Sequence, residues 1–183
     1  MAQRADELLV IADTHGAVAV LAAVLNWARK RGVGALAFLG DGLDDLAAAT
    51  DRVGYHPPCA RVRGNGDSDH AVPFVDTLDF AGRRFFLCHG HLNGVQDSFV
   101  SLVTAARSVD ADAALFGHTH KPFWDEMDRL LVLNPGSPSR PRGAFVPTFA
   151  TIACPEGGWF QVRHWAIAEG TLGGLSIREY DPA

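Results

Sequence analysis

The chain has 183 residues, of which 48% are hydrophobic and 20% are charged. This composition is typical of one globular domain that buries most of its apolar surface. The net charge is −5, and no cluster of lysines and arginines has the size of a nucleic-acid footprint, which argues against a nucleic-acid partner. We therefore expect a single domain over residues 1–183.

The apolar and cysteine patterns indicate a cytoplasmic protein with no membrane partner. The longest apolar run, residues 17–25, is too short to span a bilayer. The N-terminal segment carries charges ahead of a brief apolar stretch, unlike a secretory signal peptide. The three cysteines, Cys59, Cys88 and Cys154, are far apart and odd in number, so we expect reduced thiols.

The first half of the chain alternates strands and helices. The apolar run at 7–13 predicts a buried strand. A helix should follow with Val18, Leu21 and Leu25 on one stripe and Gly32 as its C-cap. Further strands are predicted at 35–42 and 60–67, with a helix from about Asp44 between them.

The second half is richer in strands. Residues 75–90 predict a hairpin that turns at 81–83. A helix is expected over 96–109, with Asp97 or Ser98 near its start, and then a strand over 112–118. The remainder resembles antiparallel hairpins, although residues 143–183 carry no motif. Strand–helix alternation followed by β meanders favours an α/β layered fold.

Five predicted strands end in polar clusters. These are Asp13-Thr-His15, Gly-Asp41-Gly, Gly-Asn65-Gly-Asp67, His89-Gly-His91 and Gly-His118-Thr-His120. Ligands of open α/β sheets bind on the loops that leave the carboxyl ends of the strands. If the strands are adjacent, the five clusters meet at one edge.

Imidazoles and carboxylates without thiolates suit a divalent metal such as Mn, Fe, Co, Ni or Zn. About seven candidate ligands exceed the need of one tetrahedral ion, so two ions sharing a carboxylate are the simplest arrangement. Each cluster alone has an ordinary structural explanation. Asp13 or Thr14 is a candidate helix cap, and the segments around Asp41 and Asn65 are typical turns. Five such coincidences at five strand ends are less plausible than one shared site.

In this order, D-x-H, G-D, G-N, H and G-H-x-H resemble the signature of the calcineurin-like metallophosphoesterases. The likeness covers about residues 8–142 and is strongest to the small single-domain phosphodiesterase branch, which shares "HGH" and "NPGS". The resemblance implies a four-layer α/β/β/α sandwich of two mixed sheets with a di-metal site at the strand ends. It also implies cleavage of phosphodiesters or phosphomonoesters by a metal-activated hydroxide, with two divalent ions per chain. Mn is the expected metal, with Ni, Co, Fe or Zn as alternatives.

The resemblance assigns roles position by position. One ion would be held by Asp13, His15 and His120, the other by Asn65, His89 and His118, with Asp41 bridging them. Asn65 would also contact substrate. Arg142 matches a basic position that binds a phosphate oxygen, although a solvated loop arginine explains it equally well. Arg140 is a weaker candidate for that contact.

One position departs from the wider superfamily. Gly66 stands where that superfamily has a histidine thought to assist the leaving group. His91 is the candidate substitute acid, and its alternative is a histidine that orients a ligand or a water.

Two other functions remain open at this stage. One is a protein-binding scaffold resembling the retromer sorting subunit, which keeps several of these motifs but lacks part of the ligand set. The presence of His15 and Asn65 here favours the enzyme. The other is a nucleotide-specific phosphohydrolase. The expected partner is a small-molecule phosphoester, and an oligomer remains open.

Overall fold

The computed structural model describes residues 6–170 and 174–182, so residues 1–5 of the segment compared with a signal peptide lie outside the described residues. The strands are β1 (Glu7–Ile11), β2 (Ala35–Phe38), β3 (Cys59–Arg61), β4 (Val75–Phe80), β5 (Arg83–Cys88), β6 (Ala113–Leu115), β7 (Pro122–Met127), β8 (Leu130–Pro135), β9 (Thr148–Ala153), β10 (Gln161–Glu169) and β11 (Leu175–Tyr180). The α-helices are α1 (Val18–Arg31), α2 (Leu43–Val53) and α3 (Val100–Arg107), and a 3-10 turn covers His91–Asn93. No helix among these residues is long and apolar enough to cross a membrane.

The strands form two mixed sheets. The six-stranded sheet has the order β11-β10-β9-β1-β2-β3, and the five-stranded sheet has the order β4-β5-β6-β8-β7. Strands β1, β2 and β3 are parallel to one another, as are β5, β6 and β8. The carboxyl ends of each parallel set therefore lie at one edge of its sheet.

Three buried apolar clusters separate four layers. Alternate residues of β1, such as Leu8 and Val10, pack against Phe85 and Leu87 of β5 between the two sheets. The intervening residues of β1, such as Leu9, pack against α1 and α2. On the outer face of the second sheet, Phe86 and its neighbours pack against α3. The four-layer α/β/β/α sandwich of two mixed sheets is confirmed.

Local features agree with the sequence at several points. Gly32 ends α1 in the left-handed conformation (φ 74°), and the turn of the first hairpin is Ala81–Gly82, both with positive φ. Strands β2 and β3 end earlier than expected, and their polar residues lie on the loops that follow. Residues 148–180, which carried no motif, supply half of the six-stranded sheet, with β9 pairing antiparallel to β1.

One local prediction is wrong, and one alternative explanation does not hold. The helix expected over 96–109 begins only at Val100, because Gly94 takes a left-handed conformation (φ 62°) and the chain bends before the helix starts. Neither Asp13 nor Thr14 caps α1, since Ala17 precedes the helix and the N-cap makes no side-chain hydrogen bond. Their side chains are buried and make other contacts.

Candidate metal centre

The polar clusters meet where the edges of the two sheets face each other. From the six-stranded sheet come the loops after β1, β2 and β3, and from the five-stranded sheet the loops after β5 and β6. The cluster is therefore built from two sheets, whereas the sequence argument considered one sheet edge. The seven predicted ligands on these loops are Asp13, His15, Asp41, Asn65, His89, His118 and His120.

The backbone of these loops is unusual. Nine non-glycine residues in the described part of the chain have positive φ, and five of them are predicted ligands: Asp13, His15, Asp41, His118 and His120. This region is sparsely populated for L-residues, although aspartate and histidine enter it more readily than most. Such conformations cluster at functional sites, where the surrounding structure holds them in place. The backbone geometry thus supports a specialised site.

Five side chains come together in two overlapping groups. Asp13, His15 and His120 form one, and Asp13, Asp41 and His89 form the other, with the ligand atoms of each group within 4.8 Å of one another. Asp13 Oδ1 lies 3.3 Å from His120 Nε2 and 3.8 Å from both His15 Nε2 and His89 Nε2. Asp13 belongs to both groups by distance, so the bridging role of Asp41 stays a prediction.

The donor atoms are oriented as metal ligands would be. His89 Nδ1 donates to the Leu39 carbonyl at 2.7 Å and His120 Nδ1 to the Arg140 carbonyl at 2.6 Å. Each bond leaves the Nε2 lone pair free and turned toward the carboxylates. His89 Nε2 and Asp13 Oδ1 are buried without a hydrogen-bond partner, a costly state in the absence of a cation. The residues present therefore fit divalent metal ions.

Asn65 and His118 belong to the same cavity but to neither group. A cavity of about 320 Å³ is lined by both residues together with His15, Asp41 and His120. The backbone N–H of His118 donates to Asp13 Oδ2 at 2.9 Å. Its ring Nε2 lies 2.7 Å from the side-chain amide nitrogen of Gln96, a contact that no pattern in the sequence indicates.

Burial and local charges act differently on the histidines. Burial lowers the pKa of His15, His91 and His118 below the ordinary value. For His120, burial also lowers the pKa, but interaction with the nearby Asp13 carboxylate and the bond to the Arg140 carbonyl outweigh it, and the net shift is upward. Neutral imidazole is the metal-binding form. Three of these rings are thus biased toward it.

Asp67 fixes the loop that carries Asp41. Its carboxylate accepts the backbone N–H groups of Asp41, Gly42, Leu43 and Gly64 at 2.7–2.9 Å. Burial alone would raise the pKa of Asp67, but these four hydrogen bonds lower it overall. Asp67 was visible in the sequence only as part of a turn-like motif, and its role depends on residues up to 26 positions away.

Asp45 and Ser137 fix the loop that carries Asp13. Asp45 Oδ2 accepts from the Thr14 hydroxyl and from the Gly16 N–H at 2.7 Å. Ser137 Oγ donates to the Asp13 carbonyl at 2.7 Å, which gives the "NPGS" motif a structural role beside the centre. Sequence analysis missed Asp45, because a carboxylate in the first turn of a helix is commonplace.

The two weaker candidates lie at the edge of the centre. The His91 ring centroid is 5.4 Å from that of His89 and 6.1 Å from that of His118, and its Nδ1 is buried without a partner. Arg142 is exposed and lines the metal cavity, and its backbone N–H donates to the His120 carbonyl at 3.2 Å. The catalytic role of His91 and the substrate contact of Arg142 stay predictions.

Comparison with known proteins identifies the superfamily to which the chain belongs. Residues 7–157 match the model of the calcineurin-like phosphoesterase superfamily domain, and the chain belongs to that superfamily. It is 29% identical over 158 residues to the phosphodiesterase YfcE of Escherichia coli K12, covering 75% of this chain and 82% of that protein. The family resemblance and the metallophosphoesterase function at family level are thereby confirmed.

Solved structures agree on the fold. A predicted phosphoesterase from Streptococcus pneumoniae TIGR4 superposes with a TM-score of 0.77 at 24% identity, covering 98% of this chain and 99% of that one. Vps29 from Chaetomium thermophilum superposes with a TM-score of 0.73 at 17% identity, covering 95% of this chain and 96% of that one. Vacuolar Protein Sorting 29 from Cryptosporidium parvum has the same fold, with a TM-score of 0.72 at 20% identity, covering 96% of this chain and 97% of that one. The fold alone therefore does not define the activity.

Proposed function

We propose that this chain is a phosphodiesterase that depends on two divalent ions, with Mn as the preferred metal. The observation that carries the proposal is the pair of buried, unpartnered atoms, Asp13 Oδ1 and His89 Nε2, inside a cluster of five candidate ligands. The name of the E. coli relative, a phosphodiesterase, supports the same conclusion.

In this proposal, the residues of the chain bind the metal ions and the phosphate and hold the ligand rings in position. Divalent ions in such a site supply Lewis acidity and lower the pKa of water. Asp13 and Asp41 would offset the positive charge of two ions, and the bonds from His89 and His120 to backbone carbonyls hold the rings in place. Arg142 and Asn65 are exposed and line the cavity, which supports a role in binding a non-bridging phosphate oxygen.

Gly66 leaves the leaving-group side of the centre without an acid of its own. A Cβ at Gly66 would lie 3.2–3.4 Å from the Asp41 carboxylate, so a side chain there would stand directly beside the candidate ligand. In its absence, groups that depart as stable anions should be favoured, and His91 is the remaining candidate proton donor.

A protein-binding scaffold is the alternative from a different class, and the likeness to Vps29 supports it. His15, which lies in one of the two ligand groups, and Asn65, which lines their cavity, favour the enzyme. A scaffold would bind metal without turnover, so activity separates the two hypotheses.

The test is a phosphoester panel after chelation. The chain is stripped with a chelator and reloaded separately with Mn, Ni, Co, Fe or Zn, and metal content is measured by elemental analysis. We expect two ions per chain and metal-dependent hydrolysis of bis(p-nitrophenyl) phosphate. Hydrolysis that survives chelation in a chain without metal would refute the proposal. Metal binding without hydrolysis of any ester would favour the scaffold.

We extend the proposal to a cytoplasmic enzyme acting on a small-molecule phosphoester. The three cysteines are free, with Cys59 exposed and the other two buried, and thiols stay reduced in that compartment. The size of the metal cavity, about 320 Å³, suits a small molecule. A cell fractionation experiment with an antibody to the chain would test the location.

A further inference from the structure

A second cavity adjoins the metal centre. It has a volume of about 400 Å³, and four aromatic residues line it: Phe99, Phe116, Phe123 and Phe145. We call it the phenylalanine pocket. Phe99 packs against Phe116 and Phe123 at ring-centroid distances of 5.3 and 5.0 Å. The pocket exists because α3 begins at Val100, so Phe99 and the bent segment before it form a wall where a longer helix was expected.

The phenylalanine pocket shares a wall with the metal cavity. Arg142 lines both cavities. Thr119, in the wall of the phenylalanine pocket, lies between the candidate ligands His118 and His120 in the sequence. Gln96 lines the pocket too and contacts His118 Nε2 at 2.7 Å. A group in the pocket would therefore lie beside a phosphate held at the metal centre.

The chemistry of the walls selects an occupant. Aromatic rings pack well against other aromatic rings, and the volume lies within the range of about 300–1,000 Å³ typical of small-molecule sites. Lys121 and Arg142 supply two positive charges in a chain whose net charge is −5, which suits an attached phosphate. The amide of Gln96 and the hydroxyl of Thr119 offer hydrogen bonds to the edge of a planar ring.

We propose that the phenylalanine pocket binds a planar aromatic group carried on the substrate's phosphoryl centre, so that the enzyme selects aryl or nucleotide-like phosphoesters over aliphatic ones. The proposal rests on the proposed function, since it assigns a substrate class to the same metal centre. Phe145 is the residue to vary, because it is half-buried on a loop and belongs to none of the three buried clusters.

The experiment compares methylphosphonate, cyclohexylphosphonate and phenylphosphonate as ligands of the Mn-loaded chain. Calorimetry gives their affinities directly, and inhibition of bis(p-nitrophenyl) phosphate hydrolysis gives them independently. We expect phenylphosphonate to bind about tenfold more tightly than methylphosphonate, and cyclohexylphosphonate to gain less. Equal affinity of all three, or of the phenyl and cyclohexyl compounds, would overturn the proposal.

Variants locate the effect in the pocket. Phe145→Ala and Phe145→Leu should both lose most of the preference for the phenyl ligand, because the second keeps apolar bulk but lacks the ring. Trp124→Ala is the matched control, since Trp124 is 48% exposed and lines a different cavity, and it should retain the preference. A preference that persists in Phe145→Ala would overturn the assignment to this pocket.

Two further comparisons distinguish nucleotides from simple aryl groups, and failure of the proposed function from failure of the pocket assignment. Thymidine 5′-monophosphate binding as tightly as phenylphosphonate would assign nucleotides, and weaker binding would assign directly attached aryl groups. If the Mn-loaded chain hydrolyses no ester, the proposed function fails, and calorimetry still decides whether the pocket prefers an aromatic ring. If hydrolysis occurs without any preference for the phenyl ligand, only the pocket assignment fails.

Discussion

Asp41 is the predicted bridge between the two ion sites. Its Oδ1 accepts the Gly66 N–H at 2.7 Å, and its Oδ2 lies 3.5 Å from His89 Nε2 and 3.7 Å from His15 Nε2. One oxygen is thus fixed by the backbone while the other faces a histidine from each predicted ion site. A carboxylate in that position reduces the repulsion between two cations.

Asp41→Asn should therefore be the most damaging ligand substitution. At saturating Mn we expect it to lower the rate of diester hydrolysis by about a hundredfold or more, and to do so more strongly than His120→Ala. The measurement is kcat at increasing Mn, with bound metal counted in parallel. If excess Mn restores the activity of Asp41→Asn but not that of His120→Ala, Asp41 does not bridge the two ions. Asp13→Asn then becomes the variant to compare.

Asp67 should stabilise the fold in a pH-dependent way. Replacing its carboxylate in Asp67→Asn weakens four backbone hydrogen bonds and should cost about 2 kcal/mol of unfolding free energy at neutral pH. Because the pKa of Asp67 is lowered in the folded state, its contribution is present above the unfolded value of about 3.9. That contribution is lost as the pH falls through the lower folded value.

Urea denaturation of both proteins across acidic and neutral pH checks this. The difference in unfolding free energy between wild type and Asp67→Asn should shrink below about pH 4. Asp69→Asn, an exposed carboxylate that bonds only the Ala71 N–H among the hydrogen bonds observed, serves as the control. A difference that stays constant with pH would show that the carboxylate charge is not responsible.

A series of diesters with different leaving groups tests whether His91 is the general acid. Since Gly66 provides no acid, wild type should cleave activated aryl diesters well and alkyl diesters poorly. A general acid contributes about two to four orders of magnitude, so His91→Ala should reduce alkyl cleavage far more than aryl cleavage. The pKa of His91 is lowered mainly by burial, so the alkyl reaction should also fall as the pH rises past that lowered value. Equal loss for both ester types would indicate a role in orienting a ligand or water.

At the scale of elements, the site depends on how closely the loop after β3 approaches the loop after β2. A Cβ on Gly64 would lie 2.1 Å from Asp41 Oδ1 and 2.8 Å from the Asp41 backbone nitrogen, well inside contact distance. A side chain there must displace the very carboxylate that faces the histidines. Glycine at position 64 thus allows the Asp41 carboxylate to keep its position in the candidate metal centre.

Gly64→Ala should therefore lower both stability and metal binding. We expect a loss of about 1–3 kcal/mol of unfolding free energy, typical of overpacking, together with weaker Mn binding measured by calorimetry. Gly174→Ala is the control, because its Cβ would meet no atom within 4 Å. Unchanged Mn affinity in Gly64→Ala would show that the loop after β3 yields without moving Asp41.

Some elements and site residues could be predicted from the sequence more easily than others. Strand β1 and its ligands were accessible from the sequence, because an apolar run followed by Asp13 and His15 is a local signal. The roles of Asp45 and Ser137 were not, since their partners lie 29 to 124 residues away. The start of α3 was misplaced because Asp97 and Ser98 are typical N-cap residues, while the bend at Gly94 and the packing of Phe99 delay the helix. The phenylalanine pocket, which arises from that bend, was therefore invisible to sequence analysis.

At the scale of the whole molecule, metal should contribute to folding stability. The ligand groups join residues 13, 15 and 41 of one sheet to residues 89 and 120 of the other, an arrangement that the unfolded chain lacks. At Mn concentrations about a hundred times the dissociation constant, binding adds roughly 2.7 kcal/mol, which corresponds to a rise in Tm of about 5–10 °C for a chain of this size. Thermal unfolding with Mn and with a chelator measures the shift. His56→Ala, outside the centre, should retain it, whereas a chelator-insensitive Tm in Mn-loaded wild type would contradict the expectation.

The position of β9 has a consequence for the timing of metal uptake during synthesis. Every candidate ligand has been translated once residue 120 is made, yet β1 lies between β2 and β9, and β9 begins only at Thr148. A ribosome-bound chain that has just produced His120 still lacks one neighbour of the strand that leads into Asp13 and His15. The loop after β1 should then be held only from the β2 side, without Ser137 donating to the Asp13 carbonyl. We therefore expect nascent chains in which residue 120 but not residues 148–169 has left the exit tunnel to capture Mn poorly, and capture to become efficient once residues 148–169 have also emerged.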